Sequence, residues 1–275
     1  MNATWVIATR EIQDGLRNRW VAASIVLLAF LALVLYLLGS LPAGHIRAGT
    51  MSVTVVSLAA LTVYLVPLIA LMLSFDAFVG EFERGTLFLL LTYPVRRWQI
   101  VAGKFAGHAA ILLMAIVVGY GGTALVIAFG SHTGWRGIDA YGGMMASSWL
   151  LGLVFIGLGY LISVLARERA TAVAAAVGLW LVFVVLYDLA LLGLAVADQG
   201  RLLGQGMFTM LLSINPTDAY RLLNLTHDSA VSQAAGMIGL PVTHATVPAV
   251  QLFVLAAWAL VPASIAALVL QKRDL

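Results

Sequence analysis

Cysteine is absent from this chain of 275 residues. That excludes disulfides, thiolate metal sites and cysteine nucleophiles. Charge is scarce too: Asp, Glu, Lys and Arg make up 10% of the residues, against about 25% in soluble domains. The signatures of nucleotide binding and hydrolysis are also missing. Gly103-Lys104 is followed by Phe105 and has no glycine at the offset a phosphate-cradling G-x-x-x-x-G-K-[ST] loop requires. Neither H-E-x-x-H nor G-x-S-x-G occurs. His45, His108, His132, His227 and His244 are scattered without ligand spacing. The chain therefore does not read as an enzyme, and energy for any uphill step must come from a partner or an ion gradient. Gradient-driven carriers usually show internal repeats, and none is visible here.

What the chain has in abundance is apolar surface: 62% hydrophobic residues and a mean hydropathy of +1.02. Such a chain cannot cover itself with polar groups in water, so most of it must be solvated by lipid. Six runs are long enough to cross a bilayer: Trp20–Leu41, Met51–Ser74, Gln99–Phe129, Gly142–Ala166, Thr171–Ala197 and Ala249–Leu270. They are continuously apolar rather than alternating, which rules against a barrel and leaves helices to satisfy the backbone in lipid. The expected fold is an all-α integral membrane protein with six transmembrane helices.

Charge placement orients the spans. Arg10, Arg17, Arg19, Arg84, Arg96, Arg97, Lys104, Arg167, Arg169, Lys272 and Arg273 fall on one side, and Arg47, Arg136, Arg201 and Arg221 on the other. Both termini are expected to be cytoplasmic. Residues 1–19 set Trp5, Ile12 and Leu16 against Arg10, Asp14, Arg17 and Arg19, the pattern of an amphipathic helix on the inner surface. No cleavable signal peptide is read there. Residues 20–275 form the six-span domain, with a long outer loop over 198–248. In that loop Asn215-Pro216 forces a bend, and Thr217 or Asp218 is expected to cap a short helix carrying Tyr220, Leu222 and Leu223.

Polar residues inside apolar runs mark candidate sites. Asp188, after Tyr187 in the fifth run, either lines a translocation path or proton site, or is a structural carboxyl at a helix contact. Asp76, at the inner end of the second run, reads as an interfacial anchor. Met144, Met145 and His108 are the residues with metal-ligand chemistry, but gap-filling methionines and a hydrogen-bonded packing histidine account for them, and no metal site is assigned. Pro67 and Pro262 interrupt the second and sixth runs.

The most informative stretch is Gly80–Lys104. It carries Glu81, Glu83, Arg84, Arg96, Arg97 and Lys104 around an apolar run, Leu87–Leu91, too short to span. Gly80-Glu81-Phe82-Glu83-Arg84-Gly85-Thr86-Leu87, then Pro94-Val95-Arg96-Arg97, then Gly103-Lys104 resembles the signature of ABC-2 type permeases. Within that family, Leu89–Pro94, Gly103–His108, Asn215–Leu225 and Lys272–Leu275 are similar to the permeases of transporters that help mature nitrous oxide reductase. The resemblance implies a homodimer in a bacterial inner membrane, a cytoplasmic ABC ATPase dimer that binds ATP and Mg, and a periplasmic copper-handling protein. It implies no cofactor on this chain and no nucleic acid partner. It makes Glu81, Glu83, Arg84, Gly85, Thr86, Leu87, Tyr93 and Pro94 a coupling helix between spans two and three. It also makes Asn215, Pro216, Asp218, Tyr220 and Arg221 the contact for the periplasmic partner. The implied work supports assembly of a copper–sulfide centre. A general ABC-2 exporter of lipid or drug, or a membrane scaffold that transports nothing, are the alternatives.

Overall fold

The computed structural model describes residues 3–39, 50–86, 92, 95–130, 137–198, 205–225 and 247–272. The described residues form helices and turns and no strand. The helices are α1 (Ala3–Arg17), α2 (Arg19–Gly39), α3 (Thr50–Ser74), α4 (Val79–Glu83), α5 (Arg97–Gly130), α6 (Ile138–Leu165), α7 (Arg169–Leu181), a π turn (Val182–Leu186), α8 (Tyr187–Asp198), α9 (Gln205–Ile214), α10 (Pro216–Leu225) and α11 (Pro248–Lys272).

Six of these stretches are long and apolar enough to cross a membrane: Arg19–Leu37, Thr54–Glu83, Arg97–Phe129, Ile138–Leu165, Arg169–Ala197 and Pro248–Lys272. They match the six runs expected from hydropathy to within a few residues, except that the second extends through α4. The protein is an all-α, multi-pass membrane protein. Pro67 and Pro262 both stay inside continuous helices, as neighbouring helices in a bundle allow.

The fourth span is the axis of the bundle. Its most apolar window is 67% buried, against 11% for the fifth span, and α6 packs on both α3 and α11. Gly157 explains one close approach: a Cβ there would lie 2.7 Å from the Ala259 carbonyl oxygen of α11. Tyr120, Tyr141, Tyr160 and Tyr220 are fully buried, and each hydroxyl has a partner, as buried phenols require. Tyr120 meets Thr62 Oγ1 at 2.9 Å, Tyr141 donates to the Tyr120 carbonyl at 2.8 Å, and Tyr220 meets Ser148 Oγ at 3.0 Å.

The N-terminal helix packs on α5 through the face that does not carry Trp5 and Leu16. Trp5 and Leu16 are exposed, and the packed face is Ile7, Ala8, Glu11 and Gly15. The reason lies on α5. Gly103 and Gly107 leave a shallow channel in which α1 approaches so closely that a Cβ on Gly103 would lie 2.8 Å from Thr4 O. Side chains as large as Trp5 cannot enter that contact. Asn18 then separates α1 from α2, its Oδ1 accepting from Trp20 N at 2.9 Å, an N-cap.

Candidate functional site

Two polar clusters lie at opposite ends of the bundle. The first gathers where α3 ends, α5 begins and α7 begins. Lys104, with a side chain 5% exposed, donates to Glu81 Oε1 at 2.9 Å and also to Glu11 Oε1. Glu11 Oε2 sits 3.5 Å from His108 Nε2, and His108 Nδ1 is 2.7 Å from the Tyr160 hydroxyl. A buried ammonium is tolerated because carboxylates and hydrogen bonds replace its water. Burial is the largest single influence and would raise the Glu11 carboxyl, but the charge and hydrogen bond of Lys104 together with nearby cationic groups hold it below its ordinary value.

Beside this network the backbone leaves α3 through a turn. Ser163 Oγ of α6 accepts from Phe78 N and Val79 N at 2.9 and 3.1 Å, which fixes the start of α4 against the fourth span. Gly85 ends α4 with φ +70° and donates its N–H to Phe82 O at 3.1 Å, a helix end that a left-handed glycine suits. Arg169, at the start of α7, binds Asp76 Oδ2 at 2.7 Å through its guanidinium and Glu83 Oε1 at 2.8 Å through its backbone N–H. Asp76 thus makes a contact with the start of the neighbouring helix α7.

Of the residues expected to form the coupling element, Glu83, Arg84 and Thr86 are exposed, whereas Glu81 turns inward to Lys104. Leu87, Tyr93 and Pro94 lie outside the described residues. Glu11, Lys104, Tyr160 and Ser163 were not singled out as site residues by sequence reasoning. The spacing of Gly103-Lys104 from Glu81 offered no signal that an N-terminal residue would share the same ammonium.

The second cluster holds the segment expected to meet an outer partner. Asn215, Pro216, Asp218 and Tyr220 are buried, so these side chains face the bundle, with Arg221 half-buried beside them. The reason is the π turn in the fifth span. A π turn breaks the regular i→i+4 ladder, and the Phe183 carbonyl accepts instead from Asn215 Nδ2 at 2.9 Å and Thr217 Oγ1 at 3.0 Å. The cap of α10 is Asn215, whose Oδ1 accepts from Thr217 N at 3.2 Å, rather than Thr217 or Asp218. Pro216 occupies the first helical position, where its missing N–H costs nothing.

Arg221 completes this cluster, bonding Asp188 and, at 2.8 Å, Asp218 Oδ1. Burial pushes the Asp218 carboxyl up to about 7, against the nearby Arg221 guanidinium and with Asp188 adding to the rise. Tyr187 donates to the Leu211 carbonyl at 2.7 Å. Asp188 and Tyr187 therefore tie the fifth span to α9 and α10, as a structural carboxyl at a helix contact would. Met144 is buried with its Sδ 3.5 Å from Ser148 Oγ. No group of three or more His, Asp or Glu able to hold a metal occurs among the described residues.

Six helices long and apolar enough to cross a bilayer define a polytopic membrane protein. The chain belongs to the ABC-2 family of transporter proteins, whose family match runs over residues 5–275. It is similar to the "Probable ABC transporter permease protein NosY" of Stutzerimonas stutzeri, 42% identical over 276 residues and 99% of both chains. It is also similar to the protein of the same description from Pseudomonas aeruginosa, 45% identical over 242 residues and 87% of both chains. The chain is accordingly a NosY-like permease subunit of an ABC-2 transporter. Membrane subunits of this kind are generally not catalytic.

Proposed function

We propose that the chain couples ATP hydrolysis by a separate cytoplasmic ATPase to transport or mechanical work across the inner membrane. That work serves assembly of the copper–sulfide centre of nitrous oxide reductase. The observation that carries the coupling role is the turn at 79–86. It is pinned to the fourth span by Ser163, to the fifth by Arg169 and to the third by Lys104, yet leaves Glu83, Arg84 and Thr86 exposed. A push on those exposed groups would reach three spans at once. Rim charges of this kind set register and orientation at an interface.

The assignment to nitrous oxide reductase rests on the likeness to the NosY relatives. The same likeness supports a homodimer, an ATPase dimer resembling NosF on the cytoplasmic side, a periplasmic copper-handling protein resembling NosD on the other, and cytoplasmic termini. Asp218 and Arg221, bound inward, would act on the outer partner by shaping α10 rather than by touching that partner.

Purification of the tagged chain from its native membrane in mild detergent, with mass spectrometry of what comes with it, tests this. A P-loop ATPase together with a periplasmic repeat protein is the expected result. An ATPase alone points to a general exporter. No ATPase at all overturns the coupling role and favours a scaffold. In cells, replacing Glu83 and Gly85 together should abolish reductase maturation while the spans still insert; unchanged maturation would sink the role given to this turn.

A further inference from the structure

We infer that Lys104 is a positioning residue that joins α1 to the 79–84 turn, so that the N-terminal helix moves with the segment proposed to meet the ATPase. The inference rests on the coupling role proposed above and adds α1 to the force-bearing part. Two carboxylates from elements far apart in sequence, Glu11 and Glu81, converge on one buried ammonium. One would suffice to neutralise it. The second makes the site over-supplied with negative charge, an arrangement that a simple anchor does not need.

The geometry separates a fixed base from two arms. The base is α5 and α6, where Lys104 and His108 sit one turn apart and Tyr160 holds His108 Nδ1. One arm is α1, seated on Gly103 and Gly107 of that same α5 face. The other is α4. Glu81 has little else to hold it: its Oε2 is buried without a hydrogen-bond partner among the described residues. A displacement of the turn therefore swings the Lys104 side chain with it and, through the second pair to Glu11, carries α1 along. In a low-dielectric site such a pairing is strong, whereas a water-exposed pair would pass on little.

The test uses the complete transporter in lipid nanodiscs, with Glu11→Gln, Glu81→Gln and the triple variant Glu11→Gln, Glu81→Gln, Lys104→Met, which leaves no buried charge unpaired. Each single change leaves Lys104 one counter-charge. The ATPase recovered with the complex and its rate of ATP hydrolysis are measured. Both single variants should retain the ATPase and lose hydrolysis several-fold, and the triple variant should be no slower than the slower single, because each breaks the same link. Lys104→Arg, which keeps both pairs, should retain most of the rate. Wild-type hydrolysis in Glu11→Gln, or losses that multiply in the triple variant, would overturn the inference.

Spin labels provide a second measurement on a chain with an intact network. The chain has no cysteine, so Arg10→Cys and Arg84→Cys, both exposed, label without background. With each complex carrying a single labelled protomer, the distance should be the same with and without ATP; a distance that changes with ATP shows the two elements moving apart and overturns the inference. Failure of the coupling reading has a different signature, since the unmodified chain then recovers no ATPase.

Discussion

Arg97 Nη1 donates to the main-chain oxygens of Leu270 and Gln271, at 2.7 and 3.1 Å. The residue that opens the third span thus closes the sixth, satisfying carbonyls that a helix end leaves without intrahelical partners. Arg97→Ala should lower stability by about 1 kcal/mol, the range for a cation at a helix C-terminus. Thermal unfolding in detergent should show a lower Tm, with protease cutting near residue 270 rising first. An unchanged Tm and cutting pattern would show that the cap contributes nothing.

Gly85 carries a positive φ of 70°, where an L side chain costs roughly 1–2 kcal/mol. Among the described residues no neighbour lies within 4 Å of a Cβ built there, so the cost of Gly85→Ala is conformational. The variant should insert and pack normally but hold the exposed Glu83 and Arg84 in an altered turn. Reduced ATPase recovery beside a small drop in Tm is expected, and Gly85→Asn, which tolerates the left-handed region better, should recover part of both.

The seat of α1 should depend on pH through Glu11. Its folded pKa lies below the ordinary 4.5, so the folded state binds fewer protons than the unfolded one between the two values. The stabilisation is present above pH 4.5 and is lost as pH falls through the lowered value. Cleavage within residues 3–17 by pepsin, which is active in acid, on chain held in lipid at a series of acid pH values, should rise only at the most acid of them. In Glu11→Gln the acid dependence should disappear.

Asp218 should give a slope of opposite sign. Its pKa rises from 3.8 to about 7, so the folded state holds a proton that the unfolded state has released. Its stabilising contribution is full below pH 3.8 and is lost as pH rises through about 7. Between pH 5 and pH 8 the Tm of the wild-type chain should fall, and Asp218→Asn should flatten that slope. A slope that survives in the variant would place the titration elsewhere.

Much of this protein was legible before any tertiary contact was known. The six spans follow from uninterrupted apolar runs, since in lipid a backbone without water must close its own hydrogen bonds. Asn215-Pro216 marked a bend before a short helix because proline restricts the residue before it. The misread cap shows the limit of local reasoning: Asn215, Thr217 and Asp218 are all capping residues, and only the freed carbonyl of Phe183 decides which of them faces where. The π turn had no sequence signal, because Val182–Leu186 is as apolar as any other part of the span.

The sequence by itself determined the class of protein, the number of spans and the presence of a charged turn between the second and third. These depend on composition and on neighbours along the chain. Tertiary structure alone decided that Glu11 and Glu81 share Lys104, that the Asn215–Arg221 segment faces inward, and that Trp5 and Leu16 lie on the outer face of α1. Each is a contact between distant residues, set by where glycines let helices approach and by which buried charge must find a partner. Hydropathy carries neither kind of information.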